Sequence, residues 1–255
     1  MIRRMFPIGD ENERGHGPAF ITLAFIGLNV AVFLLLQGAG GPDGTAFTYG
    51  YSTVPLEITT GQDLTTPQQV EGLPDPVPQA PGPSPIWLTL FSSMFMHGGW
   101  LHLLGNMLFL WIFGDNVEHR IGHVTYLAFY VIAGLIASFA QILINTDSVI
   151  PTLGASGAIS GVLGAYLVMF PTNRVTVFML RFPMQVPAIV AIGLWAVFQF
   201  INGFGAFFVT EETGGGVAYM AHIGGFVAGV VAGFLFRGIY GQPRRPRGAP
   251  VSSYG

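Results

Sequence analysis

The sequence predicts an all-α membrane protein, a bundle of six transmembrane helices, and three observations carry that expectation. Of the 255 residues, 51% are apolar and only 9% are charged, where a soluble domain carries about a quarter charged. Six apolar segments, 20–36, 99–113, 124–144, 156–170, 186–209 and 217–236, come close to the roughly 20 residues that a helix needs to cross about 30 Å of hydrocarbon. Finally, all 10 basic residues are arginines, and each lies in a terminal tail or in the connections after the second and fourth segments.

In chain order, residues 1–18 begin MIRRMFPIGDENERG, a polar start unlike a cleavable secretory signal. The first span is therefore expected to stay as an anchor, with 1–18 as a cytoplasmic tail. Connection 38–98 is rich in glycine and proline, notably GLPDPVPQAPGPSP, which predicts largely irregular, polyproline-like chain. Trp87 and Trp100 flank its return and read as interfacial anchors. The connections after spans one, three and five hold Glu57, Asp63, Glu71, Asp75, Asp147, Glu211 and Glu212 but no basic residue, whereas Arg120 follows span two and Arg174 and Arg181 follow span four. Cytoplasmic loops collect arginines, so both termini are expected in the cytoplasm of a multi-pass protein of the cell (plasma or inner) membrane. The six-helix domain is expected over 19–238. Residues 239–255, ending QPRRPRGAPVSSYG, read as a disordered cytoplasmic tail touching anionic lipid. Cysteine is absent, which excludes disulfides and thiolate metal sites.

Polar side chains inside a bilayer are costly and tend to face a cavity or a partner, so each is a functional candidate. The spans hold Asn29, His102, Asn106, Ser156, Ser160, Gln199, Asn202 and His222. Ser156 sits in GASGAISG at the start of the fourth span, with only about 27 Å of helix between it and Arg174. That is short of a core plus headgroups, so Ser156 is expected below the outer surface, where the Gly154 region dips in to meet it. Irregular backbone at such depth must be buried in protein or lined by water, which implies a wet cavity open to the outside. The helix N-terminus presents unpaired N–H groups suited to an oxyanion.

His222 lies about 9 Å into the sixth span, at a similar depth. Ser160 and Gly164 follow Ser156 at helical spacing, as Gly225, Gly229 and Gly233 recur beyond His222. Stripes of small residues let two helices approach closely. If these stripes face each other, the histidine can take the serine proton and return it to a leaving amine. A serine at a small-residue contact and a packed core histidine are the plain alternatives.

No carboxylate is placed to complete a triad, because Asp115 and Glu118 fall about 20 Å from His102 at the far end of its helix. A Ser–His dyad, oriented by packing and neutral hydrogen bonds, is therefore expected. His102 and Asn106 stand at i and i+4, on one helix face, and both can donate to an oxyanion; mutual hydrogen bonding is the simpler alternative. His97, at the membrane edge, is a weaker candidate. His119 and His123 share the i, i+4 spacing, but HExxH does not occur and no metal is expected. Glu118 with Arg120 reads as a solvated cap region, and Gln199 with Asn202 as interhelical glue. No Walker A or dinucleotide fingerprint occurs in a strand context, so no nucleotide, nucleic acid or other cofactor is expected.

HLLGN in the second span with GDNVEHRIG after it, GASG opening the fourth and AHIGGFVAG in the sixth together resemble the bacterial type of the rhomboid family of intramembrane serine proteases, over nearly the whole chain. The resemblance implies a rhomboid-like six-helix core, a dyad of Ser156 and His222, and an oxyanion and substrate site of His102, Asn106, Gly154 and the Ser156 backbone N–H. It further implies that connection 38–98 is a structured loop partly in the outer leaflet, and that the fifth span or the cap above it moves to admit substrate. The partners would be the lipid bilayer and transmembrane protein substrates whose helix unwinds easily, with small residues near the cleaved bond. One feature departs from the family: some members carry an aromatic residue four positions after the nucleophile, packed on the histidine, and here that position is Ser160. Another residue must then hold the imidazole. Two competing functions stand against the protease. An inactive rhomboid-like protein that binds membrane clients is disfavoured because both dyad positions are filled. A small transporter is disfavoured because the polar residues cluster near one face instead of the midplane.

Overall fold

In the computed structural model, which describes residues 5–11, 17–179, 182–206 and 218–241, the described parts of the six apolar segments are largely helical. Strand β1, Met5–Asp10, precedes helix α1, Phe20–Ala31, which a π-helical stretch prolongs through Val32–Leu36. The first long connection carries three short helices, α2 (Thr45–Tyr51), α3 (Pro55–Thr60) and α4 (Thr89–Ser92). Then come α5 (Trp100–Ile121), α6 (His123–Ile144), α7 (Ser156–Met169), strands β2 (Arg174–Met179) and β3 (Phe182–Pro187), α8 (Ala188–Ala206) and α9 (Tyr219–Tyr240). Helices α6 and α9 are long and apolar enough to cross a membrane, and Phe20–Leu36, Ser156–Met169 and Ala188–Ile201 are shorter apolar helical stretches.

Helix α7 is the centre of the packing. It meets α5, α6, α8 and α9, and all its residues except Ser156 and Leu167 are buried. Its composition explains this, since glycine and alanine at successive turns remove the side chains that would hold neighbouring helices apart. A Cβ on Gly229 would overlap the carbonyl oxygen of Gly161, and one on Gly225 that of Gly157. The two backbones are therefore in direct contact along α7 and α9. Each glycine in a helix interior costs about 1 kcal/mol relative to alanine, and the close packing offsets that cost.

The all-α expectation needs a correction. An antiparallel sheet of order β1-β2-β3 closes the end of the bundle opposite Ser156, with Asp10 facing Val175 and Arg174 facing Pro187. Central strand β2 alternates buried Val175 and Val177 with outward Thr176 and Phe178, the period-2 pattern of a half-buried strand. The prolines sit only in the edge strands, Pro7 in β1 and Pro183 and Pro187 in β3, where a missing N–H removes no needed ladder bond. Residues 5–10, read as part of a tail, belong to this sheet, and residues 186 and 187, read as helical, end β3. Helix α9 also runs two residues beyond position 238, whereas 242–255 and the arginines there lie outside the described residues.

Helix α5 continues past the expected end at Phe113, and this changes the reading of Glu118. Its carboxylate is buried, not solvated, and accepts the backbone N–H groups of Ile21 (2.8 Å) and Thr22 (2.7 Å). Those N–H groups open α1, which has no side-chain cap of its own, so the acid satisfies them and complements the positive end of the helix dipole. Arg120 serves the opposite kind of terminus: its Nη2 donates to the carbonyls of Tyr240 (2.6 Å) and Gly241 (2.7 Å) at the end of α9.

Asp10 fastens the sheet to the bundle. Its Oδ2 accepts from the Tyr166 hydroxyl (2.5 Å) and from Asn116 Nδ2 (2.7 Å). Burial, with Asp115 and Glu11 nearby, pushes its carboxyl up from 3.8 to about 7. Between these values the unfolded chain has released the proton while the folded chain still holds it, so the stability that Asp10 contributes falls as pH rises through this window and levels off above it. Thermal unfolding of wild type and Asp10→Asn from about pH 4 to about pH 8 is expected to show the variant gaining stability relative to wild type as pH rises. Parallel curves would refute this.

Connection 38–98 is more ordered than its composition suggests. Residues 62–85 are mostly irregular, with a single bridge between Gln68 and Val77, but helices occupy much of what flanks them. Thr53 pairs antiparallel with Thr152, and Gln79 Nε2 donates to the Val149 carbonyl (2.7 Å). The connection thereby braces the segment that leads into Ser156.

Candidate active site

Ser156 opens α7 and is half-buried; His222 lies one turn into α9 and is buried. Because the glycine contacts bring α7 and α9 together, His222 Nε2 stands 2.8 Å from Ser156 Oγ. On the far side of the ring, Nδ1 stands 2.9 Å from Gln199 Oε1 on α8. The rings of Trp195 and Tyr219 flank the imidazole at centroid distances of 6.3 and 6.5 Å. Ser160 does not take part, since its hydroxyl donates to the Ser156 carbonyl (2.6 Å) in its own helix.

Gly154 precedes this pair with φ +132°, a conformation that L side chains rarely adopt. A Cβ here would also lie 2.9 Å from the ring of His102 and 3.4 Å from Ser156 Oγ, so only glycine lets the chain pass between them. Its N–H donates to the Ser93 carbonyl (2.8 Å), and Ser93 is tied to Thr53 at 2.8 Å. The Gly98 N–H donates to His102 Nδ1 (3.3 Å), which leaves Nε2 as the protonated nitrogen, on the side toward Gly154. His102 thus presents a donor beside the free N–H groups at the start of α7.

Asn106 joins this group indirectly. Its Nδ2 donates to His97 Nε2 (2.9 Å), and the His97 ring lies 5.0 Å from that of His102. His97 is fully buried. Gln37 grips its backbone from both sides, accepting its N–H (2.8 Å) and donating to its carbonyl (3.0 Å). His119 and His123 diverge, the first meeting the Gly17 carbonyl and the second Glu118. Among the described residues no three His, Cys, Asp or Glu side chains gather as metal ligands. Asn29 donates to the Phe25 carbonyl (2.7 Å) in its own helix, and the Asn202 side chain lies outside the described residues.

A model of the Rhomboid domain matches residues 85–239. The chain belongs to the rhomboid family. It is 34% identical over 154 residues to RHOMBOID-like protein 5 of Arabidopsis thaliana, covering 60% of this chain and 45% of that protein. Rhomboid protein 1, mitochondrial, of Saccharomyces cerevisiae is 27% identical over 234 residues, 90% of this chain and 57% of the relative. Rhomboid protease GluP of Bacillus subtilis is 29% identical over 227 residues, 89% of this chain and 38% of the relative. The chain therefore spans only part of the length of these rhomboid relatives. As a rhomboid it is a mostly helical membrane protein, with protease homologues.

Within this rhomboid site, sequence reasoning undervalued three residues. Gln199 reads as interhelical glue, yet it bonds the histidine; its signal was the polar amide itself in an apolar run, one turn after Trp195. His97 lies outside any helix, so periodicity could not place it against Asn106. Gln37 closes the π-helical end of α1, and nothing in the apolar run before it marks its partner 60 residues on.

Proposed function

We propose that this rhomboid is an intramembrane serine endopeptidase that cleaves peptide bonds in or near transmembrane segments of other membrane proteins. The observation that carries the reading is the 2.8 Å approach of His222 Nε2 to Ser156 Oγ, since a weak hydroxyl nucleophile needs a base in hydrogen-bond reach. Ser156 Oγ attacks the scissile carbonyl carbon as its proton passes to Nε2, and the carbonyl electrons move onto oxygen. The oxyanion is met by the Ser156 N–H, the His102 Nε2–H and the second Nδ2–H of Asn106. Collapse breaks the C–N bond, and His222 returns the proton to the leaving amine. A water activated in the same way then hydrolyses the acyl ester.

Beside Ser156 lies a cavity of about 30 Å³ lined by Met94, Gly134, Ala137, Gln141, Gly154 and Gly157. That exceeds the roughly 10–15 Å³ of such space that one water needs, so it has room for a small side chain, such as that of alanine, at the cleaved bond. We further infer six spans with both termini cytoplasmic. The arginine distribution supports this, with Arg120 and Arg174 at the sheet-bearing end, and the site then opens to the external face.

The test is a fluorophosphonate probe on the detergent-solubilised protein, followed by cleavage of a labelled transmembrane reporter. Wild type is expected to take up the probe and cut the reporter, and Ser156→Ala to do neither. Cleavage surviving in Ser156→Ala would sink the mechanism. A wild type that binds clients but neither labels nor cleaves would make the chain a client-binding rhomboid-like protein.

A further inference from the structure

The Ser156–His222 pair poses a proton problem that its own two residues do not solve. A neutral imidazole carries a single N–H, on either nitrogen. For Nε2 to accept the Ser156 proton it must be bare, so the proton must sit on Nδ1 and needs an acceptor there. In soluble triads a carboxylate takes this place, and exchanging it for an amide that favours the wrong tautomer costs about 10⁴ in turnover. The carboxylates of α5 are engaged elsewhere, with Glu118 bound to the start of α1. Ser160, one turn after Ser156, spends its hydroxyl on the Ser156 carbonyl.

The atom that meets Nδ1 is Gln199 Oε1, at 2.9 Å. Both partners are buried, His222 at 9% and Gln199 at 8% exposure, so water competes poorly for the bond. Trp195 and Gln199 stand four residues apart on α8, and both face His222. One turn of α8 therefore supplies a ring wall and a hydrogen-bond acceptor to a histidine carried by α9. The amide is also directional: its oxygen on Nδ1 enforces the productive tautomer, while its NH₂ there would enforce the unproductive one.

We propose that Gln199 is the positioning residue of this site, fixing the Nδ1–H tautomer and the ring orientation of His222 so that Nε2 faces Ser156 as a free base. This rests on the catalytic reading of Ser156 and His222 given above. Being neutral, the amide orients the imidazole without adding the charge stabilisation that a carboxylate gives the imidazolium. The site is a Ser–His dyad oriented by a glutamine in place of a bare dyad.

The experiment compares full-length wild type, Gln199→Met and Gln199→Glu in detergent, reading fluorophosphonate labelling rate against pH, reporter kcat and KM, and thermal unfolding. Methionine keeps the side-chain length and removes the acceptor. It is expected to lower kcat and labelling rate about 10- to 100-fold, by analogy with the loss of an orienting partner of a metal-bound histidine, with KM close to wild type and only a modest drop in Tm from the unpaired Nδ1–H. Glutamate restores the acceptor and is expected to recover most of the rate, with the acid limb of the pH profile moved to higher pH because a carboxylate holds the imidazole proton more tightly. Wild-type kcat and an unchanged pH profile in Gln199→Met would overturn the proposal. So would a parallel loss of rate and Tm in both variants, which marks a purely structural role. A wild type that takes up no label would instead overturn the reading of Ser156 itself, and the role of Gln199 with it.

Discussion

His222→Ala is expected to lower reporter cleavage to background, by about a millionfold if the pair behaves like soluble serine proteases. The imidazole is the only base on Ser156 Oγ among the described contacts, and without it the attacking group is a neutral hydroxyl. The fold should survive, because the substitution removes one ring near the mouth of the site and leaves the α7 and α9 backbone contacts intact. Its structural cost is the orphaned Gln199 oxygen, about 1–3 kcal/mol for a buried unpaired acceptor, so Tm should drop modestly. The sharper measurement is the double variant. If Ser156 and His222 act as a unit, Ser156→Ala with His222→Ala is no slower than either alone. A double variant slower by a further large factor would show that the two act independently.

What could be read ahead of the structure was local in the chain. The α9 stripe of Gly225, Gly229 and Gly233 is spaced at one turn and does make the close approach. On α7, however, it meets Gly157, Gly161 and Gly164, so of the Ser156, Ser160 and Gly164 stripe read in the sequence only Gly164 lies in that contact. Gly154 was marked by its place before Ser156. The departures lie where the partner is distant and its direction depends on docking. Glu118 meets N–H groups 96 and 97 residues away, and from sequence it is one acid in a charged stretch. Strand β2 pairs with residues near the N-terminus across most of the chain, and its six residues are too short for their alternation to stand out beside an apolar helix. Gln199 depends on how α8 is rotated, which polar residues on α8 alone do not specify.

The second large effect is expected at Gly229. Gly229→Val places a branched side chain where even a Cβ overlaps the Gly161 carbonyl and backbone. Backbone atoms cannot turn aside as a flexible side chain can, so α9 must move away from α7 or fail to dock. Overpacking in a well-packed core costs about 1–3 kcal/mol; here the loss should exceed that, because separating the helices opens the contact along Gly157, Gly161, Gly164, Gly225 and Gly233 as well. The variant is expected to unfold at markedly lower temperature in detergent and to lose fluorophosphonate labelling. Gly238→Val on the same helix is the control, since a Cβ there meets nothing within 4 Å, and it should match wild type in both. The pairing of readouts matters. His222→Ala removes the base from an intact scaffold, whereas Gly229→Val removes the scaffold from an intact base. If Gly229→Val kept both its Tm and its labelling, backbone contact between α7 and α9 would not be what holds His222 against Ser156.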